Sequence, residues 1–260
     1  MKNKKIEIWL LYFAAIVPIV SIIFFAIGIS IDYFSDKELY WKELLGDNQE
    51  ILDKVNQFNL IDSLVYLFCR NFLTFTTIGN ILCSTIILLK LLKKKDSYLL
   101  NVIYCVSIFW IVGIYNLGLF FKKIFNFKWY QWMSLICQHS IFLIIGFIIQ
   151  IKTLFRQQYT NIKSINVYLI AQFMIVGYVL FFTFTGYLMW QFDAKPFFAG
   201  MSFTGYFPYP FLDIVPGVKP TIFFWLTPVS QYILAFIAFL ITNQLLLFSL
   251  VISTKKRSEV

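Results

Sequence analysis

Six apolar runs divide this sequence, each near or above the ~20 residues that a helix needs to cross a bilayer. They cover approximately Ile8–Ile31, Leu64–Leu92, Leu99–Phe121, Trp132–Ile151, Ile165–Trp190 and Thr221–Ile252. Runs of this length leave the chain few folds. In hydrocarbon every backbone N–H and C=O must be satisfied internally, which a helix achieves and irregular chain does not. The expectation is an all-α polytopic membrane protein, one domain built as a bundle of six transmembrane helices. A composition of 60% hydrophobic and 13% charged residues excludes an ordinary soluble domain.

Lys2, Lys4 and Lys5 ahead of the first run resemble the n-region of a signal peptide. The run that follows is too long for an h-region and no small-residue cleavage site comes after it, so it reads as a transmembrane helix. Lysine and arginine near the ends of the runs then set the orientation. With the N-terminus inside, the cytoplasmic set is Lys2, Lys4, Lys5, Lys90, Lys93, Lys94, Lys95, Lys152, Arg156, Lys163, Lys255, Lys256 and Arg257, the larger part of the 22 basic residues. Lys122, Lys123 and Lys128 oppose it from an outer loop. The distribution favours both termini in the cytoplasm. It also explains the +9 formal charge without nucleic acid, which is not an expected partner.

The four cysteines (Cys69, Cys83, Cys105 and Cys137) lie inside apolar runs, and none has CxxC spacing. With a single histidine in the chain, nothing points to a zinc site, a disulfide framework or a cofactor. The first outer loop, about Asp32 to Asp62, is acidic. Within it Ile51, Leu52, Val55 and Phe58 recur at helical spacing, which predicts a short amphipathic helix on the outer membrane surface. A solvated acidic loop is the alternative.

The single histidine, His139, sits in the middle of the fourth run. An imidazole in hydrocarbon is costly unless paired or hydrated, so the residue is either a functional group or a helix-to-helix anchor. Helix two carries a candidate partner. At 100° per residue, Arg70, Thr74, Thr77, Ser84 and Thr85 form one polar stripe with Asn71 at its edge. Counting 1.5 Å per residue from the outer ends places Thr74 at roughly 15 Å depth and His139 at roughly 11 Å. If the two helices meet, a neutral imidazole can take the threonine proton and make the hydroxyl nucleophilic.

The segment Thr204-Gly-Tyr-Phe-Pro-Tyr-Pro-Phe-Leu-Asp213 lies on the same outer side. Pro208 and Pro210 forbid a regular helix there, and Tyr206 and Tyr209 suit a membrane interface. It reads as an aromatic belt or as a lid over the polar stripe and His139. Asp193 and Asp213 are on the side where an orienting carboxylate would be needed, and either could be a solvated loop charge.

Three short anchors resemble the androgen-induced protein family of membrane threonine hydrolases, which cleave fatty acid esters of hydroxy fatty acids. Thr204-Gly205 followed by Tyr209-Pro210-Phe211-Leu212 is similar to a segment of that family, and Pro216-Gly217 and Ile222-Phe223-Phe224 continue the likeness. Phe72-Leu73-Thr74-Phe75 looks like the motif around the family's proposed nucleophile, and His139 falls where the family carries its essential histidine. The likeness covers roughly 180 residues, from helix two to helix six, and points to a bacterial six-helix relative. It implies a hydrolase of lipid-like esters with Thr74 and His139 as catalytic dyad, and Arg70, Asn71, Tyr209 and Phe211 about the substrate. The chain departs from the family in its long acidic loop and in having no proline between Ser140 and Ile145.

Two other classes fit a small multi-pass protein. One is a solute-binding transporter subunit, against which the sparse alanine and the lack of a small-xxx-small run count. The other is a non-catalytic membrane scaffold with the same fold.

Overall fold

The computed structural model of the chain describes residues 2–46, 48–93, 97–119, 128–139, 141–156, 164–202, 204–209, 212–216 and 227–255. These residues form α1 (Lys2–Ser35), α2 (Lys37–Leu45), α3 (Gln49–Asn56), α4 (Leu60–Phe72), α5 (Phe75–Lys93), α6 (Tyr98–Leu119), α7 (Trp129–His139), α8 (Ile141–Arg156), α9 (Ser164–Gln191) and α10 (Pro228–Lys255). No strand occurs among them. Lys94, Lys95, Lys122, Lys123, Lys163, Lys256 and Arg257 of the charge pattern lie outside the described residues. So do Phe120–Phe121 of the third apolar run and Thr221–Leu226 of the sixth.

Five stretches are long and apolar enough to cross a membrane: Lys5–Ser35, Phe75–Leu92, Trp129–Phe155, Leu169–Gln191 and Pro228–Leu250. The third is counted across Ser140, which is outside the described residues. The third expected span, α6, contributes the shorter apolar stretch Tyr98–Gly113. Outward faces are as apolar as inward ones. On α9, Phe173 (75% exposed), Phe181 and Phe184 point away from the protein, as do Leu245 and Phe248 on α10. Helices that are apolar all round belong in hydrocarbon, where such faces meet lipid.

The described chain packs as two compact units. The first comprises residues 1–25, 75–173 and 243–260, the second residues 26–74 and 174–242. In the first unit α6 packs on both α5 and α8, and α7 on α5. Its core includes Ile87, Val102, Tyr104, Ile111, Leu143 and Leu154. Side chains at depth are joined by polar contacts as well: Trp110 Nε1 donates to Asn243 Oδ1 at 3.0 Å, and Asn243 Nδ2 donates to Gln172 Oε1.

The core of the second unit is mostly aromatic. Cys69 of α4 and Val179 and Phe182 of α9 pack with Phe198, Tyr206, Phe207, Leu212 and Val215 from the chain that follows α9. A neighbouring group is centred on Trp41, fully buried on α2, whose ring lies 4.6 Å from that of Tyr66 and 5.6 Å from that of Tyr33. The acidic loop is therefore folded. It forms α2 and α3, and the apolar side of α3 is turned to protein, with Ile51, Val55 and Phe58 buried. The expected short helix is α3, and protein covers its apolar side. Its periodicity records one apolar face and is silent on whether lipid or protein covers it.

The second apolar run is not one helix. α4 ends at Phe72 and α5 begins at Phe75, with Leu73 and Thr74 between them. A helix end leaves its last carbonyls without intrahelical donors. Here the Tyr178 hydroxyl, from α9, donates to the Leu73 carbonyl at 3.0 Å. Removing that hydroxyl takes a donor from a half-buried carbonyl, which costs at most about 1–3 kcal/mol. Tyr178→Phe should accordingly lower the detergent-unfolding midpoint although it keeps the ring, and a midpoint equal to wild type would show that the break holds without it.

Candidate functional site

Asn59 and Asp62 open α4 with a reciprocal cap: Asp62 N donates to Asn59 Oδ1 at 2.9 Å, and Asn59 N donates to Asp62 Oδ2 at 3.0 Å. That cap fixes where the helix starts, and so which residues reach its last turn. Arg70 Nη1 donates to Tyr66 Oη at 2.6 Å, and its guanidinium lies 5.7 Å from the Tyr40 ring centre and 5.9 Å from that of Tyr66. Tyr66 and Tyr40 hydroxyls are 2.9 Å apart. Arg70 is thus held on tyrosines through charge–quadrupole attraction as well as a hydrogen bond. Asn71 is buried and spends Nδ2 on the Leu67 carbonyl at 2.7 Å.

Thr74 is 8% exposed and occupies the position before the first residue of α5. Threonine is a favoured residue at such a position, because its oxygen can accept from the first N–H groups of the helix. The break also changes the polar stripe. Counted from Asn80 within α5 alone, Ser84 lies about 40° and Thr77 about 60° away, while Thr85 lies about 140° away. Asn80, Ser84 and Thr77 are buried, whereas Thr85 is exposed and donates to its own helix at Ile81 O. Thr85 leaves the stripe, and Asn80 joins Ser84 and Thr77 in it.

His139 ends α7 and is 4% exposed. Its neighbour Gln138 is buried too and joins three helices: Nε2 donates to Ser21 Oγ at 3.3 Å, and its carbonyl accepts from Asn80 Nδ2 at 3.1 Å. Ser21 Oγ in turn donates to Met133 O at 3.3 Å. Gln138 points about 100° from His139 and anchors the polar contacts of this part of the first unit. Thr74 belongs to the second unit and His139 to the first, and each is placed only within its own.

The described part of the aromatic segment packs into the core of the second unit. Tyr206, Phe207 and Pro208 are buried, Tyr209 is half-buried beside the same core, and Phe211 and Pro210 lie outside the described residues. Asp213 is 2% exposed and closes the segment on itself. Its Oδ2 accepts from Thr204 N and Thr204 Oγ1, both at 2.9 Å. Gly205 has φ +74° with the Ala199 backbone and Pro196 close by, so a Cβ there would sit 2.8 Å from Pro196 Cβ. Thr204, Gly205 and Asp213 thus have local jobs in shaping the loop. Asp193 is exposed and pairs with Lys54 at 2.7 Å, while Tyr206 Oη accepts from the same amine at 3.2 Å.

Two ion pairs tie α3 and α4 to the chain after α9. The hydrogen bond from Lys195, at 2.5 Å, holds the Asp62 carboxyl below its usual range, with the Asn59 backbone N–H assisting. The bond to Asp193 raises the Lys54 ammonium above its usual range. A carboxyl depressed by folding adds stability above its ordinary pKa, and that stability is lost as pH falls through the lower folded value. Lowering the pH from about 5 to about 3 should therefore reduce the unfolding midpoint of wild type more than that of Asp62→Asn. Parallel pH profiles would remove Lys195 from the account. Lys54 behaves oppositely: its contribution is complete below the ordinary lysine pKa and fades only as pH rises beyond it.

The four cysteines are free thiols, three of them buried and Cys137 half-buried. Among the described residues no group of three or more histidine, cysteine, aspartate or glutamate side chains is placed to hold a metal. The fold defines an all-helical protein whose apolar helices mark it as multi-pass and membrane-embedded. No family model matches the chain, and no curated protein or solved structure does so either.

Proposed function

We propose that the chain is a multi-pass protein of the cell membrane that hydrolyses lipid-like esters, with Thr74 as nucleophile and His139 as general base and then general acid. Both roles come from the resemblance of Phe72–Phe75, His139 and the Thr204–Leu212 segment to the androgen-induced protein family. The observation that best supports it is the position of Thr74: a buried hydroxyl at the interruption between α4 and the apolar helix beginning at Phe75. The start of a helix presents N–H groups without intrahelical partners, and these favour negative charge developing on a carbonyl oxygen.

In this reading Thr74 Oγ1 attacks the ester carbonyl while its proton passes to the imidazole of His139. Collapse of the tetrahedral intermediate breaks the ester C–O bond, and the alcohol leaves with that proton. Water then hydrolyses the acyl-threonine by the same relay. Arg70, Asn71, Tyr209 and Phe211 would bound the substrate, membrane lipids would surround the protein, and both termini would face the cytoplasm. The reading requires the Thr74 and His139 side chains to come within hydrogen-bond reach or one bridging water.

A serine/threonine-directed fluorophosphonate probe tests it on the purified protein in detergent. Wild type should label, while Thr74→Ala and His139→Ala, each shown to be monodisperse, should not. Wild type that stays unlabelled and leaves a panel of lipid esters intact would end the hydrolase reading.

A further inference from the structure

The last turn of α7, which ends at His139, is held from two other helices of the first unit. α7 packs on α5, and Asn80, fully buried on α5, donates through Nδ2 to two carbonyls. One is that of Thr76 in its own helix, at 2.8 Å; the other is that of Gln138 in α7, at 3.1 Å. Gln138 is the second-last residue of α7, so its carbonyl is among those at that end without an N–H partner in the helix. From α1, Ser21 Oγ accepts from Gln138 Nε2 and donates to the Met133 carbonyl, both at 3.3 Å. Ser21 and Gln138 are buried as well.

A peptide group is planar, so the Gln138 carbonyl, the His139 N–H and the His139 Cα share one plane. Holding that carbonyl from α5 and the Gln138 side chain from α1 fixes the plane from which the imidazole departs. The chemistry of the amide points the same way. Asn80 Oδ1 is buried with no hydrogen-bond partner among the described residues. Turning the amide over would set Oδ1 against two carbonyl oxygens, so its orientation is settled by what Nδ2 donates to. An orphaned buried acceptor is a cost that an apolar side chain of the same shape avoids. Asn80 therefore adds little net stability, because the bond it makes across the helices is offset by the oxygen it leaves unsatisfied. What it supplies is geometry at the end of α7.

We propose that Asn80 is a positioning residue for His139, clamping the last turn of α7 together with Ser21 so that the imidazole leaves the helix in one direction. The clamp rests on hydrogen bonds within the first unit. Its consequence for ester cleavage rests on the hydrolase reading.

The chain has one histidine, so the full-length protein grown on isotopically labelled histidine shows a single imidazole by NMR in detergent. Wild type should give one set of ring nitrogen signals. Asn80→Leu, close in size but without a donor, should shift that set or split it. Ser21→Ala, a smaller change that removes the α1 side of the clamp, should move the same signals and serves if Asn80→Leu does not fold. Asn243→Leu is the control: it breaks another buried amide contact of the unit, with Trp110, and should leave the signals in place. With a p-nitrophenyl acyl ester as substrate, Asn80→Leu should lower kcat about 10²-fold with KM little changed, the effect of misplacing a catalytic group by about 1 Å. Inert wild type would count against the hydrolase reading alone, since the NMR comparison reads the clamp without turnover. Ring signals that match wild type in Asn80→Leu and Ser21→Ala, or that move as far in Asn243→Leu, would overturn the proposal. So would an Asn80→Leu kcat equal to that of an active wild type.

Discussion

Trp41→Ala should be the most damaging single truncation in the second unit. The indole is fully buried and its ring lies within 6.0 Å of Tyr33, Tyr40, Phe58 and Tyr66, mostly edge to face. Truncating a large buried aromatic costs about 3–5 kcal/mol, of which the cavity left behind is part. The consequence travels through named partners. Tyr33, whose hydroxyl lies 2.7 Å from Ser63 Oγ, holds the end of α1 to α4, and Tyr66 carries Arg70. Ser63 spends its own proton on the Asn59 carbonyl at 2.8 Å, so Tyr33 is the donor to it. Loss of the indole should loosen all of these, seen as a large fall in the unfolding midpoint and faster hydrogen exchange across α2 and α4. Trp41→Phe should recover most of the loss. A Trp41→Ala midpoint within about 1 kcal/mol of wild type would mean the acidic loop is not part of the core.

The second large effect is chemical. Under the hydrolase reading Thr74→Ala removes the nucleophile and should take ester cleavage to background. His139→Ala should leave the hydroxyl in place and reduce the rate by about 10²–10⁴, the usual worth of a positioned general base. Thr74→Ser separates this role from a structural one. Serine keeps both an attacking oxygen and a capping oxygen, so it should retain activity and fold. Thr74→Asn retains capping ability without an attacking oxygen, and should fold yet be inactive. If Thr74→Ala and Thr74→Asn both turned over esters as wild type does, Thr74 would be a cap and nothing more.

How far the sequence anticipates this architecture depends on which force is at work. Membrane-spanning helices are legible because hydropathy is a property of the chain itself, and Lys5–Ser35, Leu169–Gln191 and Pro228–Leu250 lie where apolar runs put them. The break at Leu73–Thr74 is not. Neither glycine nor proline marks it, and the hydroxyl that meets the freed carbonyl comes from Tyr178, 105 residues away. Once the break is missed, the helical phase beyond it is wrong, which is why Thr85 entered the polar stripe and Asn80 did not. Gln138 faces about 100° away from His139, and that direction brings it to Ser21 and Asn80, contacts no local pattern announces. In the Thr204–Asp213 segment prolines and tyrosines announce irregular chain. That Phe207 would be core and Asp213 a clamp rests on tertiary contacts no local pattern encodes.

The central claim of the proposed function is that Thr74 carries the acyl group during turnover, so a fluorophosphonate should trap the same oxygen as a phosphonyl adduct. Mass spectrometric mapping of the residue modified by a fluorophosphonate, with protein digested after labelling in detergent, measures that directly. The account predicts the adduct on the peptide containing Phe72-Leu73-Thr74-Phe75, at Thr74, and its loss in His139→Ala. An adduct on another hydroxyl, or none on a protein that still cleaves lipid esters, would contradict it.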